Sequence, residues 1–517
     1  MAISARRVSE RLGGTDELAL LDVREQGVHY RGHPFFACSA PLSRLELVIG
    51  DLVPRKSAPI VVLDGGEDGR EAGLAEKAHK KLLELHYADV EILEGGCAGW
   101  KEAGLELFSG VNVPSKAFGE YVEHHYATPR VAPGELKRLQ ELKKVLVVDS
   151  RPFEEYRRMN IPGGIDVPGA ELVYRIHDLA PSPDTLIVVN CAGRTRSIIG
   201  CQSLRNAGIL NPVVALKDGT MGWELAGFTC ERNADRVAAA PSAEGRKKAL
   251  AAAERVAKRF AVQFTSMEQL HEWRRDPART LFVLDVRTRE EFERSHVTGS
   301  RHAPGGQLVQ ASDEYVGVRN ARVVLVDPDL VRAIMTASWL NQMGWRDVYV
   351  LEDAELTESG PRRPKIPGSP PWQTISSIPE GAAVLDLSTS LRFHHKHIPG
   401  AWWGVRSRLD EARKALPSFS TLVLTSEDGV LAHLAAPEAA ALWPESQVKV
   451  LEGGNAAWTG PTESGVERAT TTRDDVWYKP YDHTSDYLKH AREYLDWEVA
   501  LVEQIKKDPT IRFRAYS

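Results

Sequence analysis

The sequence predicts an α/β protein of four tandem units, each a small parallel sheet with helices on both faces, followed by a helical C-terminal extension. Three observations carry this. An apolar run closed by an acidic residue occurs four times, as LALLDVRE (18–25), VLVVDSRP (145–152), LFVLDVRT (281–288) and AAVLDLST (382–389). A second apolar run follows each, as IVVLD (60–64), LIVVNC (186–191), VVLVD (323–327) and TLVLTS (421–426). The separations Asp22 to Asp64, Asp149 to Cys191 and Asp285 to Asp327 are all 42 residues, and Asp386 to Ser426 is 40. A third element closes every unit, at 91–100, 214–223, 348–356 and 448–458. A fixed period of this kind marks repeated structural units.

Near-continuous apolar runs rich in β-branched residues suit parallel strands covered on both faces. Between the second and third runs lies helical sequence. In the second unit, Ser197 to Gly208 turns Ile198, Ile199 and Leu204 toward the sheet and stops at Gly208. Strand, helix, strand with short connections puts the ligand-binding loops at the C-terminal ends of the strands. Position 191 is then a strand tip, and the first amides of the next helix point at whatever is bound there.

A chain of 517 residues is too long for one core. The units are placed at 1–104, 131–232, 262–358 and 373–465, with the extension at 466–517. A Pro- and aromatic-rich segment (105–131) joins the first two. An Ala/Arg/Lys stretch (234–260), read as helical and exposed, follows the second, and an extended linker (359–372) follows the third. A helix over 484–506 is expected to dock on the body.

Hydrophobic residues make up 43% and charged residues 26%, a globular balance that excludes a disordered or fibrous chain. Net charge is −6 with no long Lys/Arg run, so no nucleic-acid partner is expected. No stretch of ~18 apolar residues occurs, so no membrane partner is expected and the location read from the sequence is cytoplasmic. Five cysteines, at 38, 97, 191, 201 and 230, form neither CxxC pairs nor zinc-like clusters, and their odd count does not suit a disulfide framework. No metal or cofactor is expected.

The candidate site is the stretch Asn190, Cys191, Ala192, Gly193, Arg194, Thr195, Arg196, Ser197, between an apolar strand and a helix. Converging amides there can cradle an anion, and small residues at 192 and 193 permit close approach. Guanidinium groups from Arg194 or Arg196 should stabilise a thiolate, which is the nucleophilic form, and lower its pKa from ~8.5. Asp149 and Arg151 recur as D-x-R in units without the cysteine and read as structural. Cys201 reads as core, and Cys38, Cys97 and Cys230 have no supporting context.

These motifs resemble the rhodanese family of sulfurtransferases. The resemblance rests on the D-x-R strand end, the acidic pair before an aromatic (Glu154, Glu155, Tyr156 and Glu290, Glu291, Phe292), the turn His397-Ile398-Pro399-Gly400-Ala401, the C-x-x-x-x-R loop and the G-G-x-x-G-W close. The turn departs from the pattern at Asn160 to Gly164 and at His296 to Gly299. The resemblance implies that Cys191 takes sulfur from a small anionic donor such as thiosulfate, holds it as a persulfide and passes it to a thiol or cyanide. It implies Ala192 to Ser197 as the substrate-binding loop, with Arg194 and Arg196 as anion binders and no separate base.

Asp64, Asp327 and Ser426 stand where the other units would need the cysteine, which predicts that those units are silent. Covering the active loop, shaping acceptor access or forming a homodimer surface are the roles open to them. Two alternatives remain at this point: a cysteine-dependent phosphatase or arsenate reductase on the same fold, and a non-enzymatic interaction array. The first expects His before the cysteine and Arg six residues after it, where this chain has Asn190 and Ser197.

Overall fold

The computed structural model describes residues 1–66, 71–362, 366, 372–483 and 485–516. It contains four five-stranded, wholly parallel sheets, and each repeats one strand order, with the unit's strands lying in the sequence one, five, four, two, three. In the second sheet this order runs Arg130–Val131, Val213–Leu216, Leu186–Asn190, Val145–Asp149, Ile165–Asp166. The two central strands are in register from Val145 against Leu186 to Asp149 against Asn190. Their side chains are the apolar ones read from the sequence, and Val148, Val188 and Val189 are fully buried. The two-residue outer strands, such as Arg130–Val131 and Ile165–Asp166, escaped the sequence reading because so short a run carries no periodicity.

The cores merge. One apolar cluster runs from Ala19 and Leu21 of the first sheet through Val148 and Ile187 of the second to Phe282 and Leu325 of the third. The fourth sheet has its own cluster, against which Leu47 of the first unit packs. Backbones of the second and third units meet at Gly169 and Gly306, where a Cβ on Gly306 would lie 3.0 Å from the Gly169 Cα, so both positions need glycine. Trp339 Nε1 donates to Ser203 Oγ across the same boundary at 2.8 Å.

Two segments read as connections turn out to be packed structure. Within 105–131 a helix spans Val113–Tyr126, started by a proline in its first turn and burying Val113, Ala117, Phe118 and Val122. The stretch 234–260 contains the helix Ala243–Arg259, capped by the Ser242 side chain on the Gly245 amide. It is not the exposed helix expected: Ala249, Ala252, Ala253, Val256 and Ala257 are buried. Small side chains on one face let its backbone close on a neighbour, and its polar face meets water. Much of the linker expected at 359–372 lies outside the described residues. The extension carries a helix at Tyr487–Gln504. Among the described residues no helix is long and apolar enough to cross a membrane.

One ion cluster ties the second and third units together. Arg332, fully buried, donates to Asp327 at 2.8 Å, to Glu291 at 2.7 Å and across the boundary to Glu171 at 3.1 Å. Removing one partner of such a cluster strands the others in low dielectric. Arg332→Ala is therefore expected to cost about 3–5 kcal/mol, read as a lowered urea midpoint.

Candidate active site

The strand Leu186–Asn190 ends at Cys191, and the helix Thr195–Asn206 begins four residues later. The base of the loop is fixed from below. Asn190 donates its side-chain amide to Asp149 at 2.7 Å, and Asp149 holds Arg151 through both Nε (2.9 Å) and Nη2 (2.7 Å). Ser150 donates its amide and its hydroxyl to the Asn190 carbonyl at 2.9 and 2.8 Å. The Asp–Arg pair recurs as Asp22 with Arg24 and Asp285 with Arg287, both buried, which makes it a support of the strand end in every unit that has it.

The carbonyls of the loop are drawn to one side. Cys191 O accepts from the Thr220 amide at 2.9 Å, and Ala192 O from the Met221 amide at 3.0 Å. Both donors belong to the first turn of the helix Gly219–Leu225. Gly219 has φ of +57°, and a Cβ there would stand 2.4 Å from the Cys191 carbonyl oxygen. The Gly–Trp close thus supports the loop directly, a role the sequence reading did not give it. Trp223 is buried beneath and donates to Thr229 O at 3.1 Å, as Trp100 does to Glu106 O at 2.9 Å in the first unit.

The three sister loops show where the helix-start amides converge. Asp64 accepts from the Gly66 and Ala75 amides at 3.0 Å each. Asp327 accepts from the Arg332 amide at 2.8 Å, and Ser426 Oγ from the Ala432 amide at 3.3 Å. Each acceptor occupies the place that Cys191 holds in the second unit, so the amides of this loop type aim at the side chain of that residue.

Of the two loop arginines, Arg194 is the more heavily engaged. Its guanidinium lies against Glu120 (2.7 Å from each of two nitrogens), Glu123 (2.5 Å) and Asp218 (3.1 Å) and is buried among them. Three carboxylates therefore take the place of the anion expected for it. Glu120 and Glu123 come from the helix Val113–Tyr126, so Arg194 staples the loop to that helix. Arg196 is paired with Glu155 at 2.7 and 2.9 Å and lies near Gln307 of the third unit at 3.4 Å. Ser197 donates to Arg194 O at 2.8 Å, and Thr195 to Glu498 at 3.1 Å. Glu498, fully buried in the C-terminal helix, also pairs with Lys116 at 2.9 Å.

Above Cys191 lies a cavity of about 210 Å³ whose walls come from five parts of the chain. Cys191 to Arg196 line it together with Gln26 of the first unit, Lys116 of the joining helix, Gln307 and Gln310 of the third unit and Tyr494 of the extension. The other four thiols are buried away from it. Burial pushes Cys38 far up and Cys97, Cys201 and Cys230 to about 12, which keeps them protonated and unreactive.

Two expected outcomes follow from this geometry. Gly219→Ala, which drives a methyl into the loop carbonyls, should lower turnover roughly 10²-fold with the far-UV circular dichroism retained. Burial alone would raise the Glu155 carboxyl, but the Arg196 guanidinium holds it at about 2, below its ordinary 4.5. A carboxylate depressed by folding contributes stability above its unfolded pKa and loses it as pH falls through the folded value. The stability difference between the wild type and Glu155→Gln, measured by urea unfolding, should be flat above pH 4.5 and shrink between 4.5 and about 2.

Comparison with known proteins matches the Rhodanese-like domain family at residues 132–226 and 266–354. Over 106 residues the chain is 37% identical to the HTH-type transcriptional regulator Rv0324 of Mycobacterium tuberculosis, a match covering 20% of this chain and 45% of that protein, under half its length. The crystal structure of a thiosulfate sulfurtransferase from Pseudomonas aeruginosa superposes with a TM-score of 0.95 at 45% identity, covering 100% of both chains. On the four repeated sheets, the cysteine loop and this full-length likeness, the chain belongs to the rhodanese-like sulfurtransferases.

Proposed function

We propose that the chain moves sulfane sulfur from thiosulfate or a similar anionic donor to a thiol or cyanide through a persulfide on Cys191. The observation that carries this is the convergence of helix-start amides on the side chain at the strand tip in the three sister units. In those units an oxygen of the chain accepts them. In the second unit the acceptor is sulfur, and the same amides stabilise it as thiolate and as persulfide anion. The full-length likeness to a thiosulfate sulfurtransferase supports the same donor.

In the first step the Cys191 thiolate attacks the outer sulfur of thiosulfate. The sulfur–sulfur bond of the donor breaks, its electron pair leaves with sulfite, and Cys191 keeps one sulfur. In the second step the acceptor takes that outer sulfur and the Cys191 thiolate is released. Neither step needs a base on the enzyme when the acceptor arrives as an anion. Arg196 faces the cavity and meets the donor's charge with the amides of Ala192 to Ser197. Arg194 serves the reaction by holding the loop. Asp64, Asp327 and Ser426 cannot form a persulfide, so the first, third and fourth units are silent, and the first and third act as walls through Gln26, Gln307 and Gln310.

Against a phosphatase reading, Ser197 stands where that chemistry places its arginine, and its hydroxyl is used on the Arg194 carbonyl at 2.8 Å. Incubation with thiosulfate should add one sulfur (~32 Da) to the intact mass, labile to cyanide and absent from Cys191→Ala, with sulfite and thiocyanate released. No gain with either thiosulfate or mercaptopyruvate would overturn the reading.

A further inference from the structure

The cavity over Cys191 is larger than its donor requires. A volume of about 210 Å³ gives room for roughly 14 to 21 waters at ~10–15 Å³ each, several times what a small sulfur oxyanion displaces. Much of the surplus is bounded by the C-terminal extension, through Trp477, Lys479, Pro480, Tyr481 and Tyr494.

Three of these are aromatic, and each is braced. The Trp477 ring stacks between Tyr30 of the first unit and Tyr494, at 5.8 and 6.0 Å between centroids. The Tyr481 ring carries the Arg158 guanidinium 4.3 Å from its centre. Tyr494 donates its hydroxyl to Glu498 at 3.0 Å.

Lys479 stands among them and differs from the other cations of the cavity. Lys116, Arg194 and Arg196 are each neutralised by a carboxylate within 2.9 Å. Among the described residues Lys479 forms no salt bridge. Burial would lower its pKa, but a hydrogen bond to the Tyr481 hydroxyl and the Glu155 carboxylate at longer range raise it and keep Lys479 protonated.

An ammonium without a salt-bridged carboxylate, set among aromatic faces, suits one class of ligand. An inorganic dianion has no apolar surface to lay on a ring, so the aromatic wall does nothing for it. A small organic anion uses both features, its charge on the ammonium and its carbon skeleton on the rings. We propose that Lys479, with Trp477, Tyr481 and Tyr494, forms the acceptor subsite and selects a small organic thiol that carries a carboxylate.

This rests on the persulfide reading and extends it to the second step. The acceptor loses its thiol proton to solvent and enters as the thiolate, its carboxylate on Lys479 Nζ. The thiolate attacks the outer sulfur of the Cys191 persulfide. The bond between that sulfur and Cys191 Sγ breaks with its electron pair returning to Sγ, and the acceptor departs as an organic persulfide. Lys479 is thus a specificity-determining residue, supplied from outside the repeated units.

The test uses the full chain and three acceptors: 3-mercaptopropionate, neutral 2-mercaptoethanol and cyanide. Persulfide loading by thiosulfate, followed by intact mass, reports the donor step separately. The wild type should prefer mercaptopropionate over mercaptoethanol in kcat/KM. That ratio should fall about tenfold in Lys479→Gln, through KM for the carboxylate thiol, and return in Lys479→Arg.

A proportional loss with all three acceptors would overturn the proposal, as would a wild type with no preference between the two thiols. A raised KM for thiosulfate with the acceptor ratio kept would assign Lys479 to the donor and overturn it equally. A wild type that takes up no sulfur would instead sink the persulfide reading itself, before the acceptor is added.

Discussion

A helix that starts one loop beyond a buried strand brings its unpaired first amides to a point, and that point must hold an acceptor. Around this constraint the four units share one strand order, while their loops differ in sequence and, in the first unit, in length. Asp64, Asp327 and Ser426 meet it with oxygen, and Cys191 stands at the same place in the second unit. The loop can be short because its carbonyls are taken up elsewhere, on the amides of Thr220 and Met221. With carbonyls fixed on one side, the amides keep their aim whatever enters.

Holding that aim is a task shared by distant parts of the chain. Arg194 fastens the loop to Glu120 and Glu123, Thr195 to Glu498, and Arg196 lies between Glu155 and Gln307. The shared apolar core of the first three sheets makes those attachments rigid, since none of these units can shift without opening packed surface. The first and third units therefore supply walls around the loop that the second carries. The cavity belongs to the first three units and the extension together, with Gln26, Gln307 and Tyr494 on its walls.

What the sequence made legible follows from the range of the forces involved. The central strands announce themselves because burial on both faces demands unbroken apolar runs, and their equal spacing exposes the repeat. Cys191 and its glycine are local too. The partners of the loop are not, because Glu120 lies 74 residues from Arg194 and Glu498 lies 303 from Thr195. Arg194 was read by its charge, which says that an anion will be near and not whether the chain provides it. The helix over 243–259 was open to a better reading: Ala249, Ala252, Ala253, Val256 and Ala257 follow the spacing of a buried stripe, and only the intervening Lys and Arg suggested exposure.

The third unit has the same strand-to-helix loop geometry and fills it with a carboxylate of its own. Asp327 sits on the helix-start amide with Arg332 beside it, at 2.8 Å in both contacts. A carboxylate tethered at the mouth of its own receptor acts at an effective concentration that no dissolved ion matches. Being part of the chain it cannot diffuse away, and the Arg332 beside it holds two units together through Glu171. Backbone dipoles that could hold a dissolved ion in reversible equilibrium are here committed to a permanent bond of the architecture.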